Sequence, residues 1–272
     1  MKIKTLRFSP LSLGLAALAL SLSAFDASAV SLSTPSQYFG GYMAINDLNN
    51  GSSTSSQWVG AIKTNDGSSS FWAYCIDPKT TAKYGLDAYT VASLNSFLND
   101  PVPPPNGETG YYQQMVPTYN AVAYGHQTPG VVENRLTTLF EHAYVDSQSS
   151  AVKAAAFGYA IWEIMGESSL SRTSGALRGT GGSLGSDVTT QIDAYLAALN
   201  NNSWSSVNGA NLSATTTYEY TVYFDPNAHN TQNFIRADEK PGGNVPEPAS
   251  LALLGVALAG VGWTRRRSAS RD

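Results

Sequence analysis

Cysteine, charge and histidine are scarce in this chain. The 272 residues include one cysteine, Cys75, so an internal disulfide is excluded and the thiol itself needs an explanation. Only 13% of the residues are charged, and no basic patch stands out, so nucleic acid is not an expected partner. No cysteine and histidine group has metal-ligand spacing, and the sequence predicts neither a metal site nor a cofactor.

The residues of a hydrolase do not assemble into a recognisable set. The chain has three histidines, His126, His142 and His229. None of them forms a recognisable pattern with a nucleophile and an orienting acid. Asp77 and Glu163 would act as an acid and base pair only if their segments meet in space, and structural hydrogen bonding is the preferred role for both. The sequence predicts no catalytic residues and a protein that is not an enzyme, with an extracellular hydrolase as the less favoured alternative.

The first 29 residues have the three parts of a secretory signal peptide. Basic residues come first, an apolar run follows over 11–24, and small side chains stand at Ala27 and Ala29. The apolar run is shorter than the ~20 residues that a membrane span needs. We therefore expect a signal helix over 1–29, with cleavage by signal peptidase after Ala29.

The last 29 residues have a second ordered set of parts. Residues Pro246, Glu247 and Pro248 precede an apolar stretch over 249–263, and Arg265, Arg266 and Arg267 follow it. The two prolines keep their segment extended and out of a helix, where an enzyme can grip it. The apolar stretch predicts a membrane helix, and the arginines predict a cytoplasmic stop to transfer.

This order of parts resembles the PEP-CTERM sorting signal of Gram-negative bacteria that make extracellular polysaccharide. The resemblance covers 244–272 and implies that an exosortase, a membrane-embedded cysteine transpeptidase or protease, acts near Glu247. It implies an exported protein that is anchored in the envelope through its tail until processing, and is then at the surface or extracellular. Polysaccharide or another surface is then a candidate partner, and an ordinary single-span anchor is the alternative.

The central segment over 30–243 is predicted to contain both strands and helices. Residues 57–63 and 71–77 predict a hairpin around the turn Asn65-Asp66-Gly67-Ser68, and 216–224 alternates as a strand. Further strands are expected over 87–91 and 232–236. The tyrosines of 216–224 are the candidate exposed face for carbohydrate contact.

Three amphipathic or apolar segments predict helices over 131–146, 150–165 and 187–200. The short link between the first two predicts an antiparallel pair, and Ser186 is the expected N-cap of the third. The stretch 168–186 predicts a flexible surface loop, and the prolines over 99–110 predict another. The fold class is α+β, an antiparallel β-sandwich or barrel with an inserted helical subdomain.

Two local sequences, Tyr74-Cys75-Ile76-Asp77 and the helical run 155–164, together resemble the thioester domains of bacterial surface adhesins. That resemblance implies an internal thioester between a strand cysteine and a helix glutamine. The cysteine position is Cys75, but the glutamine position holds Gly158, which has no acyl group to give. A close approach of the Cys75 strand to the helix is the expected reason for this glycine.

The function predicted from the sequence is that of a cell-surface or matrix protein, structural or adhesive, in biofilm or polysaccharide. The alternative is a covalent adhesin that uses Cys75. As a structural residue, Cys75 would be a small buried side chain between two apolar neighbours.

Overall fold

The computed structural model describes residues 30–46, 54–76, 82, 84, 89–99, 127–175, 177–214, 216–225 and 231–240. The predicted signal peptide, the proline-rich loop and the sorting tail lie outside these residues. Among the described residues, no helix combines the length and apolarity that a membrane crossing requires. The predicted α+β class is confirmed, since an antiparallel sheet carries an inserted set of helices.

Over the described ranges, the sheet has seven antiparallel strands in the order β4-β6-β7-β3-β2-β1-β5. The predicted hairpin is present as β2 and β3, and the other predicted strands overlap β4, β6 and β7. The strand bounds are β1 Gln37–Asn46, β2 Thr54–Asn65, β3 Ser70–Cys75, β4 Thr90–Ser93, β5 Gly179–Thr180, β6 Tyr218–Phe224 and β7 Phe234–Glu239.

Four helices are described: α1 Leu94–Asn99, α2 Pro129–Ser147, α3 Ala151–Gly166 and α4 Gly185–Asn201. The last three match the predicted helices to within a few residues. Ser150 caps α3 by accepting a hydrogen bond from Lys153 N. The expected Ser186 cap is wrong, because a short 3₁₀ turn runs into α4 and places Ser186 inside its first turn.

Helix α3 is buried on all sides. Every residue from Ala154 to Met165 is buried, as expected for a helix that is apolar all round. It packs on β1 and β2 on one side and against α2 and α4 on the other. Since each fully buried large apolar side chain contributes about 1.5–3 kcal/mol, α3 makes a large contribution to hydrophobic stabilisation.

Polar contacts tie the helices to one another and to the sheet. Asp146 at the end of α2 pairs with Lys153 Nζ at 2.6 Å and accepts from Tyr195 OH at 2.8 Å. Ser147 donates its hydroxyl proton to the Tyr144 carbonyl, so Tyr74 OH on β3 donates to Ser147 Oγ over 2.7 Å. These bonds satisfy polar groups that the packing buries.

The outer edge of β1 is covered by the segment that follows α3. Strand β5 pairs with Ala44 and Ile45 of β1. Beyond it, Ser183 Oγ accepts from Tyr42 N at 3.0 Å and donates to Tyr42 O at 3.1 Å. The predicted free surface loop over 168–186 is therefore bound to the sheet edge along part of its length.

The turn between β2 and β3 is organised by Asp66. Its carboxylate accepts from Ser68 N at 3.0 Å, from Ser69 N at 3.1 Å and from Tyr223 OH on β6 at 2.8 Å. Burial alone would raise the pKa of this carboxyl, but hydrogen bonds from Ser68, Tyr223 and Ser69 outweigh it and hold the pKa of Asp66 well below its usual range.

We predict that Asp66→Asn lowers the free energy of unfolding at neutral pH by about 1–3 kcal/mol. The folded pKa is depressed, so this contribution is present above the unfolded pKa of about 3.9 and is lost as the pH falls toward the folded value. Urea unfolding at neutral pH and at about pH 3 measures both effects. The exposed Glu239→Gln is the control, and an Asp66→Asn deficit that is equal at both pH values would contradict this reading.

Candidate functional site

Cys75 is the last residue of β3, and its side chain is buried. Its carbonyl oxygen accepts a hydrogen bond from Trp162 Nε1 on α3 at 2.9 Å. The two sequence motifs therefore meet in space, and the residue that joins them is Trp162. The indole is buried, in keeping with its apolar spacing on the helix.

Gly158 lies in the middle of α3, directly over β2. A Cβ at this position would lie 3.2 Å from Val59 Cγ1 and 3.3 Å from Gly60 N. The expected reason for this glycine is wrong, because the strand that passes under Gly158 is β2 and not β3, the strand of Cys75. Any side chain there would press its first carbon against β2, and the glycine itself supplies no acyl donor.

We predict that Gly158→Gln lowers the free energy of unfolding by at least about 2 kcal/mol, through overpacking and burial of an amide. Gly130→Gln is the matched control, since a Cβ at Gly130 meets nothing within 4 Å. Denaturant unfolding and intact mass are measured on both variants. A Gly158→Gln protein of normal stability that has lost about 17 Da, the ammonia released when a thioester forms, would show that a side chain here does reach Cys75.

A pocket of about 490 Å³ opens on the face of the sheet opposite α3. Cys75 lies in its wall, and the other described residues around it are Tyr38, Tyr42, Gln57, Trp58, Gly60, Ile62, Ala82, Tyr84, Gln232 and Phe234. Its volume lies within the range of about 300–1,000 Å³ that is typical of ligand sites. Sequence spacing missed this pocket, because it is made by neighbours across strands.

The floor of the pocket depends on two paired glycines. Gly40 on β1 pairs with Gly60 on β2, and a Cβ on either would lie about 2 Å from a carbonyl oxygen of the other strand. Gly60 also has a φ of 149°, which favours glycine. Ala61 on β2 pairs with Tyr74 on β3. In the same antiparallel register, Gly60 therefore lies opposite Cys75.

The exposed aromatic face lies on β1 and not on β6. Tyr38 and Tyr42 are 57% and 54% exposed. The predicted tyrosine face of β6 is only partly accessible. Tyr218 packs edge-on against Tyr144 and Tyr223 stacks on Phe71, so both are buried. Tyr220 is half-buried and lines a second pocket of about 810 Å³. Alternation along a strand does not reveal which of its side chains are covered by other parts of the fold.

His142 takes part in packing. Its ring stacks on Trp204 with centroids 4.6 Å apart, and its Nδ1 lies 2.6 Å from the Leu212 carbonyl oxygen. This histidine is therefore half-buried and has a structural role. His126, His229 and Asp77 lie outside the described residues, and over the described ranges no group of histidine, cysteine and acidic residues is placed to hold a metal ion.

Glu163 is a fully buried carboxyl on α3, one helical turn before the buried Glu167. Glu163 Oε2 accepts from Ser171 N at 3.3 Å, while Oε1 has no hydrogen-bond partner within the described part of the chain. Burial, followed by the neighbouring charge of Glu167, raises the pKa of Glu163 well above its usual range. With no exposed surface, Glu163 cannot meet a substrate in this conformation.

We predict that Glu163→Gln flattens the pH dependence of stability. The raised folded pKa means that the unfolded chain ionises first, so the wild type loses stability as the pH rises above about 4.5 toward the folded pKa. The glutamine variant has no proton to lose, and its Tm should fall less between about pH 5 and about pH 8. Thermal unfolding across this range measures the difference, with the exposed Glu219→Gln as the control. Parallel curves for wild type and Glu163→Gln would contradict the expectation.

Comparisons with known proteins bear on the tail and on the fold. Residues 244–267 match the PEP-CTERM protein-sorting motif, so the predicted sorting signal is confirmed, and this motif indicates an exported protein that an exosortase processes. No curated protein matches the chain. Among solved structures, the chain is similar to the N-terminal domain of the Streptococcus pyogenes pilus tip adhesin Cpa, with 17% identity, a TM-score of 0.36, and coverage of 79% of this chain and 100% of that chain. A likeness this distant carries no argument about function.

Proposed function

We propose that this chain is an exported cell-surface or matrix protein whose folded part, over 30–243, has a structural or adhesive role without catalysis. The observation that carries the proposal is the match of 244–267 to the PEP-CTERM protein-sorting motif. The motif contains Pro246, Glu247 and Pro248 and ends at the arginines that would stop transfer. Exosortase and signal peptidase are the processing partners that this proposal requires.

The start of the fold is compatible with the proposed cleavage after Ala29. Val30 N donates to Tyr89 O at 2.7 Å, and Tyr89 N donates to Val30 O at 3.2 Å. A newly formed amino terminus at Val30 would keep this bond, because an ammonium group donates as an amide does. Signal removal therefore need not disturb the folded part.

A non-enzymatic role is supported by the surroundings of the polar groups. His142 is stacked on Trp204, Glu163 is buried, and the helix position Gly158, which has no side chain, lies over β2 and not over Cys75. The covalent alternative needs an acyl donor that Gly158 does not supply. The proposed binding role therefore rests on surface contacts, in biofilm or on polysaccharide.

We predict that replacing Pro246, Glu247 and Pro248 by alanines blocks tail processing in cells that carry the exosortase. The wild-type protein recovered from the surface or medium should begin at Val30 and lack the residues after the motif. The triple variant should keep its tail and stay in the membrane fraction, because the extended site is lost. Intact mass and fractionation measure both, and the exposed Glu239→Ala is the control. A triple variant that is cut and released like wild type would overturn the proposal.

A further inference from the structure

We infer that the pocket beside Cys75 binds a neutral oligosaccharide, which stacks on the aromatic rings of β1 and β2 and bonds to side-chain amides. This inference deepens the proposed adhesive role and rests on it. It assigns the ligand class to one face of the sheet, the face opposite α3. The argument depends on the floor of the pocket, on its exposed rings and on its polar groups.

The glycine pair makes room for the rings. Tyr38 is paired with Ile62 and Tyr42 with Trp58, so Gly40 and Gly60 stand between these two rows on the same face. The Tyr38 and Trp58 rings nevertheless meet edge-on, with centroids 5.5 Å apart. They reach each other across the glycine pair because no side chain rises between them.

The rings are exposed at a cost that ligand binding would relieve. Tyr38 and Tyr42 leave more than half of their surface in water, although aromatic rings are among the largest apolar groups. A cluster of exposed rings around a pocket is typical of a binding site, whereas single exposed apolar residues are ordinary. Flat, rigid rings provide surfaces on which the C–H faces of sugar rings can stack.

The polar groups in the pocket favour hydroxyl groups as partners. Gln57 and Gln232 each carry an amide that both donates and accepts, and the tyrosine hydroxyls do the same. None of the described residues that line the pocket is charged. An anionic chain would find no cation among them, and the hydroxyl groups of a sugar can bond to amide and phenol groups that a purely apolar ligand could not use.

The inner end of the pocket is apolar. Tyr84 stacks over Phe234 with ring centroids 6.4 Å apart, next to the largely buried Cys75. The distance from β1 to β3 is two strand spacings, or about 10 Å. The described walls of the pocket therefore have an exposed aromatic side at β1 and an apolar side at β3 and β7.

The experiment uses the protein as exporting cells release it. Calorimetric titrations compare two neutral probes, cellohexaose and maltohexaose, with an acidic one of similar length, an oligoguluronate. The variants are Tyr42→Ala, which removes a ring, and Trp58→Phe, which keeps a ring but removes the contribution of Trp58 to the indole fluorescence. Val145→Ala is the control, since Val145 is 66% exposed on α2 and remote from the pocket.

We expect saturable binding of at least one neutral probe and no binding of the acidic one. Tyr42→Ala should weaken binding roughly tenfold, the effect of losing one stacked ring, while Val145→Ala should leave it unchanged. The probe should shift the indole fluorescence of the wild type, and Trp58→Phe should abolish that shift while retaining binding.

The inference is overturned if neither neutral probe binds, if the acidic probe binds more tightly, or if Tyr42→Ala binds as the wild type does. These results are separable from a failure of the proposed function. Protein that is exported and processed but binds no saccharide contradicts only the inference. Protein that binds saccharide but is never processed contradicts the proposed export route.

Discussion

The contact of α3 with β2 is the constraint on which the rest of the structure depends. At Gly158 the helix lies so close to the strand that a single methyl group would touch Val59 and Gly60. This closeness lets the helix bury its whole circumference, with α2 and α4 packed on its far side. It also brings Trp162 within hydrogen-bond distance of the Cys75 carbonyl.

Gly60 contributes to both faces of the sheet, the face packed against α3 and the face that carries the pocket. On one face its amide nitrogen lies under Gly158, and on the other its bare Cα forms part of the pocket between Trp58 and Ile62. The helix position at which the sequence resemblance would place a glutamine is thus occupied by close packing against β2. The exposed aromatic rings of β1 lie on the opposite face of the sheet.

Sequence patterns predicted those elements whose signal is local. The three long helices followed from apolar spacing, and the β2–β3 hairpin from its asparagine, aspartate and glycine turn, whereas the short helix α1 was missed. Strand β1 was missed, since the adjacent Gly40 and Gly41 resemble a break in a strand. The neighbour of Gly158 and the pocket beside Cys75 were not predictable, because both depend on which strand lies next to which. Alternation in β6 predicted one exposed face, but tertiary packing covers both near its end.

The bonds of Ser183 to both backbone groups of Tyr42 limit the pairing of strand β1 with other chains. An uncovered strand offers its amides and carbonyls as a template, and identical chains held side by side can extend one another's sheets into fibres. Here one serine hydroxyl occupies a donor and an acceptor that a neighbour would need, and β5 occupies the next pair. From Tyr42 to Ile45, a second copy of the chain would thus find the backbone groups of this edge already bonded.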